Sequence, residues 1–216
     1  MATSFTVEFE FRNQRFADAA TGLRAFYDLV ERDWDGSARA LNHELRSFLN
    51  QVVEAIVSRN SSAWPGGTTA TSLSKRSGDL VAAIEGSVKV TGTTFETVQG
   101  SIGAPGIVYA RIHETGGIIR AKNVKFLTIP LKAALNANGT PIMESARDWP
   151  NTFCAKSRAG NLIIFQKRGA QIVPLYVLKS SVKIPPRLNM RTSLDAGLPY
   201  FVDKAMDAIV RSVMEK

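Results

Sequence analysis

Residues 111–117 read Arg-Ile-His-Glu-Thr-Gly-Gly. A histidine beside a carboxylate suggests a metal site or an acid–base site. A zinc-peptidase helix needs a second histidine about one turn later, so that both imidazoles face one ion. Position 117 is glycine, and the only other histidine is His43. Nucleophilic catalysis would need a serine or cysteine beside the imidazole. Serines are plentiful, but no nucleophile-elbow pattern is present. The residues favour a simpler reading: a strand carrying Tyr109, Ile112 and Glu114 that ends in a turn, with Gly116-Gly117 supplying positive φ. The chain is therefore expected to have no catalytic residues, no metal and no cofactor.

The other candidates weaken in the same way. Gly66-Gly67 lacks the Lys-Ser and the strand–loop–helix setting of a phosphate cradle. Gly103 to Gly106 reads as a turn. Asp33 and Asp35 flank Trp34, and Asp203 and Asp207 stand one helical turn apart; such pairs are usually solvated faces. The basic residues Lys179, Lys183, Arg187 and Arg191 surround Pro185-Pro186. They suit phosphate contact, an edge guarded against aggregation, or a stiff extended surface offered to a neighbouring subunit. The third reading is preferred. Trp64, before Pro65 in a polar stretch, is an aromatic in need of a partner. Trp64, Arg187 and Arg191 are expected to have surface roles.

The elements that position these residues are legible from periodicity. Phe5, Val7, Phe9 and Phe11 alternate with polar residues, the period of a half-buried strand. Phe16, Ala19, Ala20, Leu23, Phe26, Tyr27 and Val30 fit a helical face. Asp35-Gly36-Ser37 breaks the chain, with Ser37 as an N-cap. From Ala38 to Ile56 apolar residues recur at three- and four-residue steps, giving a helix of about 20 residues and about 30 Å. The two helices form a hairpin. Residues 60–76 read as a long polar loop, and a short helix follows at Ser77–Glu85. Strands are expected in SVKVTG, TTFETVQGSIG, IVYARIHE, VKFLTIPL, NLIIFQK and IVPLYVLKSSVKI. Residues 131–160 lack a pattern and read as an arm or binding loop. A helix closes the chain at Leu194–Met214, with Pro199 near its first turn or kinking it. This order predicts an α+β fold. A mainly antiparallel sheet packs with an N-terminal helical hairpin and a C-terminal helix, in one domain over 1–216 with arms at about 60–76 and 131–160.

Composition sets wider bounds. Hydrophobic residues make up 44% of the 216, which supports a core and argues against wholesale disorder. Lys and Arg number 27 against 19 acidic residues, a net +8 that suits DNA, an acidic partner or plain solubility. The single cysteine, Cys154, allows no internal disulfide. Neither a signal peptide nor an apolar run of about 18 residues is evident, so no membrane role is expected.

Three runs carry a resemblance: LSKRSGDLVAAIEGSV, YARIHETGGIIRAKNVKFLTIPL and IVPLYVLKSSVKIPPRLNMRTSLDAG. Together they resemble the tail completion, or virion morphogenesis, proteins of tailed bacteriophages. The shared elements are Ser-Gly-x-Leu at 77–80, Tyr-Ala-x-x-His-Glu-x-Gly-Gly at 109–117 and Lys-x-Leu-x-Ile-Pro at 125–130. The last is Leu-Lys-x-Ser-Val-x-Ile-Pro-x-Arg at 178–187. The family's Arg-Pro-Phe is Arg187-Leu188-Asn189 here. The resemblance implies a structural virion protein of the head–tail junction, made in the host cytoplasm. It would act as a ring oligomer that completes the tail and joins it to the head. Implied partners are its own copies, the tail terminator or tube, the head connector, and possible contact with packaged DNA; no small-molecule substrate is implied. The competing expectation is a DNA-binding module using the basic segment 179–191.

Overall fold

The computed structural model describes residues 9–11, 14–32 and 34–214 and places five α-helices and four antiparallel sheets in them. In chain order these are β1 (Phe9–Phe11), β2 (Gln14–Phe16), α1 (Ala19–Arg32), α2 (Trp34–Arg59), α3 (Asp79–Glu85), β3 (Lys89–Thr91) and β4 (Gln99–Ser101). Then come α4 (Ala110–Thr115), β5 (Gly117–Arg120), β6 (Leu127–Pro130), β7 (Thr152–Lys156), β8 (Leu162–Arg168), β9 (Gln171–Lys179), β10 (Ser181–Ile184) and α5 (Met190–Met214). The α+β class, the N-terminal helices, the antiparallel strands and the C-terminal helix are as expected. The chain divides into two compact units. One comprises Met1–Val53, Ser87–Gly103 and Thr192–Lys216; the other comprises Glu54–Gly86 and Ala104–Arg191.

In the first unit, Phe48, Leu49, Val52 and Val53 of α2 are buried, as the periodicity of that helix requires. Phe48 stacks on Phe201 of α5 with ring centroids 5.0 Å apart. Both neighbours of this cluster approach through glycine. A Cβ on Gly197 would fall 2.6 Å from Phe48 Cε2, and one on Gly100 would fall 2.6 Å from Leu49 Cδ1.

Several expectations change in this unit. Phe16 lies in β2, not on the first helix. Leu23 and Tyr27 of α1 are exposed while Gly22 is buried, so the apolar face assigned to that helix is not its buried face. Asp18 caps α1 instead, accepting from the Thr21 backbone N–H at 2.8 Å and from the Thr21 hydroxyl at 2.8 Å. Those bonds hold its carboxyl below the usual carboxylate value. Ser37 is no N-cap. It lies inside α2, fully buried, with its hydroxyl 3.4 Å from that of Ser212. Pro199 lies in the third turn of an α5 that begins at Met190. Residues 1–8, 12, 13 and 33 lie outside the described residues, and with them Phe5, Val7 and the Asp33 carboxylate.

The second unit holds the sheet β6-β9-β8-β7. Its core cluster is Ala134, Trp149, Leu175 and Tyr176, with Ile164 and Val173 packed against it. Leu175 and Tyr176 are consecutive and both buried, which strict alternation forbids. A register shift explains it: Ile164 pairs with Tyr176 but Phe165 pairs with Pro174, so Leu175 is the extra residue of a bulge. The Leu175 carbonyl accepts from the Leu131 N–H at 2.8 Å. Residues 131–160 are not structureless. They contain 3₁₀ turns at Lys132–Ala134 and Ala146–Asp148, the second closed by a Ser145–Asp148 capping box, and then β7. The pattern was unreadable because the segment contributes isolated anchors, Ala134 and Trp149, to the core and no periodic face.

Candidate functional site

His113 and Glu114 stand on a helical turn, α4, and not on the expected strand. On a strand, Ala110 and Glu114 would share a face with Ile112, and His113 would oppose them. On a helix, Ala110 lies beneath both His113 and Glu114. Ala110 is buried, and the two functional-looking side chains emerge together above it. Gly116, at φ 68° and ψ 177°, stops the helix, and Gly117 at φ 155° starts β5. The positive φ expected at this glycine pair is therefore present.

These residues secure the run into α5. The His113 carbonyl accepts the backbone N–H groups of Arg187 (2.7 Å) and Leu188 (2.9 Å). The Glu114 carboxylate accepts Met190 N–H on Oε2 at 2.8 Å and Arg191 N–H on Oε1 at 3.0 Å. A carboxylate here satisfies two orphan donors of α5 and faces the positive end of its dipole. Arg59 Nη2 donates to the Leu188 carbonyl at 2.9 Å. Leu188 itself is fully buried. Below the turn, β5 pairs with β10, from Gly117↔Ile184 to Arg120↔Ser181. Both carboxylate oxygens of Glu114 thus have backbone partners. Glu114→Ala is expected to cost about 2 kcal/mol, the loss of a charged cap, with faster amide exchange at Met190 and Arg191. Glu114→Gln, keeping one acceptor, should cost less.

A cleft of about 490 Å³ opens beside this turn within the second unit. Its charged and aromatic lining is Lys75, Arg76, Tyr109, His113 and Arg187. The loop 60–76 places the first two. Asn60 is buried; its amide donates to the Ile56 carbonyl at 2.7 Å, and its oxygen accepts Leu73 N–H at 2.8 Å. Lys75 N–H donates to the Ser62 carbonyl at 2.8 Å, and Trp64 N–H to the Lys75 carbonyl at 3.2 Å. Arg76 Nη1 donates to the Gly139 carbonyl at 3.0 Å, with its guanidinium 5.7 Å from the Trp64 ring centroid.

His113 lies edge-on to Tyr109, ring centroids 6.1 Å apart. Burial first, and then the Arg187 guanidinium, holds its pKa below the ordinary 6.5. The sign of the pH effect follows. Below pH 6.5 the unfolded chain takes up a proton that folded His113 resists, so acidification destabilises the fold until the lowered folded pKa is reached. Above that window both states are neutral, and His113 adds no pH dependence. Urea unfolding at pH 7 and pH 5 should show this loss, and His113→Gln should remove its share.

The residues singled out in the sequence have separate settings. Trp64 is half-buried, with its indole over Gly139, where a Cβ would fall 2.6 Å from Cδ2. Lys179 donates to Asn161 Oδ1 at 2.6 Å at the end of β9. Lys183 is exposed on β10, and Arg191 is exposed at the start of α5. Arg187 is half-buried in the cleft. Lys75, Arg76 and Tyr109 were missed as site residues, because no local signal joins a polar loop to a residue more than a hundred positions on. Asp203 and Asp207 are exposed on α5, as on a solvated face. Cys154 is exposed on β7. His43 belongs to α2 in the first unit and His113 to the second. Among the described residues no three His, Cys, Asp or Glu side chains gather as a metal site, and no helix is long and apolar enough to cross a membrane.

Comparison with protein-family models, curated proteins and solved structures found no match.

Proposed function

We propose that the chain is a structural protein of the tailed-phage head–tail junction, a tail completion or neck protein that acts through contacts between copies in a ring and performs no bond-breaking. The carrying observation is the use of the His113-Glu114 pair. The Glu114 carboxylate caps α5 and the His113 backbone holds residues 187 and 188, so a pair that suggests catalysis serves as framework. The elements behind the family resemblance, at 109–117 and 178–187, meet in that same framework through the β5–β10 pairing.

The surface suits adhesion. Val108 is 94% exposed, and Ile118 and Ile119 of β5 are exposed as well. On α5, Leu198, Val202, Met206 and Val210 are all exposed at four-residue steps. Clustered exposed apolar side chains mark contact surfaces, and in a closed ring each modest contact is reinforced by effective concentration.

The test is assembly. Virions carrying a labelled copy of the chain should show the label where head meets tail, and tails made without the chain should fail to join filled heads. Normal joining by such tails would overturn the reading. Duplex DNA titrated over a salt series separates the competing one: a steep decline of affinity with salt, reporting several phosphate contacts, would favour a DNA-binding module.

A further inference from the structure

We propose that the cleft between the 60–76 loop and α4 is a binding site for a phosphate group carried by a small, nucleotide-sized molecule. This stands apart from the virion reading and needs no ring.

Charge is the first argument. Lys75, Arg76 and Arg187 line one cleft, His113 joins them, and no Asp or Glu is among the described lining residues. None of the three cations has an ion-pair partner among the described residues. Lys75 and Arg76 are exposed and Arg187 is half-buried, so their mutual repulsion is partly screened, and an anion between them reverses it. One carboxylate would neutralise one of the three; a phosphate dianion matches the set more closely, and guanidinium groups suit its oxygens.

Two further observations point to a ligand. Arg187 Nε and His113 Nδ1 are buried with no hydrogen-bond partner among the described residues. Buried donors and acceptors are almost always paired, so the two side chains that carry these atoms leave hydrogen-bonding capacity unused beside the cleft. One of the cations is also held in place before any ligand arrives. Arg76 is fixed by the Gly139 carbonyl and the Trp64 ring. Such preorganisation lowers the entropy lost on binding.

Size selects the ligand class. A cleft of about 490 Å³ falls in the range of small-molecule sites. Ser77, Thr140 and Tyr109 line it alongside the cations, a mixture suited to a phosphate ester as well as to inorganic phosphate.

The chain has two histidines, so their ring resonances give a clean readout by NMR. The full chain is titrated with inorganic phosphate, tripolyphosphate and a nucleoside triphosphate, each against sodium chloride at matched ionic strength. His113 should shift saturably and titrate at higher pH when the anion is bound, because the anion opposes the Arg187 charge. His43 should not move. Arg187→Gln and Lys75→Gln should each weaken binding by about tenfold or more, the worth of one charge-assisted hydrogen bond. Lys75 is exposed and its ammonium makes no hydrogen bond among the described residues, so its variant stays informative should Arg187→Gln unfold. A nucleoside triphosphate that binds tighter than tripolyphosphate would place a nucleotide in the cleft; equal binding would assign phosphate alone. The proposal is overturned if chloride reproduces the His113 shift, if no anion saturates, or if Lys75→Gln binds as well as the parent.

Discussion

Gly116→Ala is expected to lower stability by about 3 kcal/mol, from backbone strain and overpacking together. At φ 68° and ψ 177° the backbone occupies a region open almost only to glycine. A Cβ there would also stand 2.8 Å from Pro186 Cδ and 3.2 Å from the Ile184 carbonyl oxygen. Neither neighbour can retreat cheaply, since a proline ring is rigid and Ile184 is paired to Gly117 in the β5–β10 sheet. Two other glycines calibrate the effect. Gly160, at φ 75° with open space around it, should lose about 1 kcal/mol on change to alanine, from strain alone. Gly103, with open space and no positive φ, should be close to neutral. Urea unfolding of the three variants tests the gradient. Equal losses at Gly116 and Gly160 would mean that Pro186 does not press on the turn.

Trp149→Ala should cost about 4 kcal/mol, as do other truncations of large buried aromatics. Trp149 is 7% exposed in the core of the four-stranded sheet, and its Nε1–H donates to the Tyr176 hydroxyl at 3.0 Å. Truncation leaves a cavity and strips a buried hydroxyl of its partner. Trp149→Phe keeps most of the ring burial and loses the hydrogen bond, so about 1–2 kcal/mol should go. Phe in place of Tyr176 in the Trp149→Phe background should recover part of that loss, because no unpaired hydroxyl is then buried. Additive losses in that double variant, measured by denaturant unfolding, would show that the hydrogen bond contributes nothing.

These two positions show where the sequence was legible. The value of a glycine pair after His113-Glu114 was readable, because positive φ is a local need that residue type reveals. Its neighbour Pro186 was not, since that contact joins positions 70 apart in number. Trp149 gave no sign of being core. It sits in a stretch without periodicity and reaches the core through a capped 3₁₀ turn, which leaves no repeating pattern. The helices α2 and α5 were legible over most of their length, because long amphipathic repeats average out local noise. The α4 turn reads as a strand in the sequence and is helical in the structure. Six residues are too few to separate the two periods, and strand-like runs stand on either side of them.

Alone, the order of residues determined the α+β class, the long second helix, the closing helix and most strands of the larger sheet. Each of these follows from the spacing of apolar side chains along a short window, which every residue in that window carries. Only the tertiary structure decided what His113, Glu114, Lys75 and Arg187 meet. Glu114 meets its partners 76 and 77 positions away, and the cations share a cleft only after the loop, α4 and the run before α5 have come together. A contact between such distant positions is a property of the folded chain's geometry, and no local pattern encodes it.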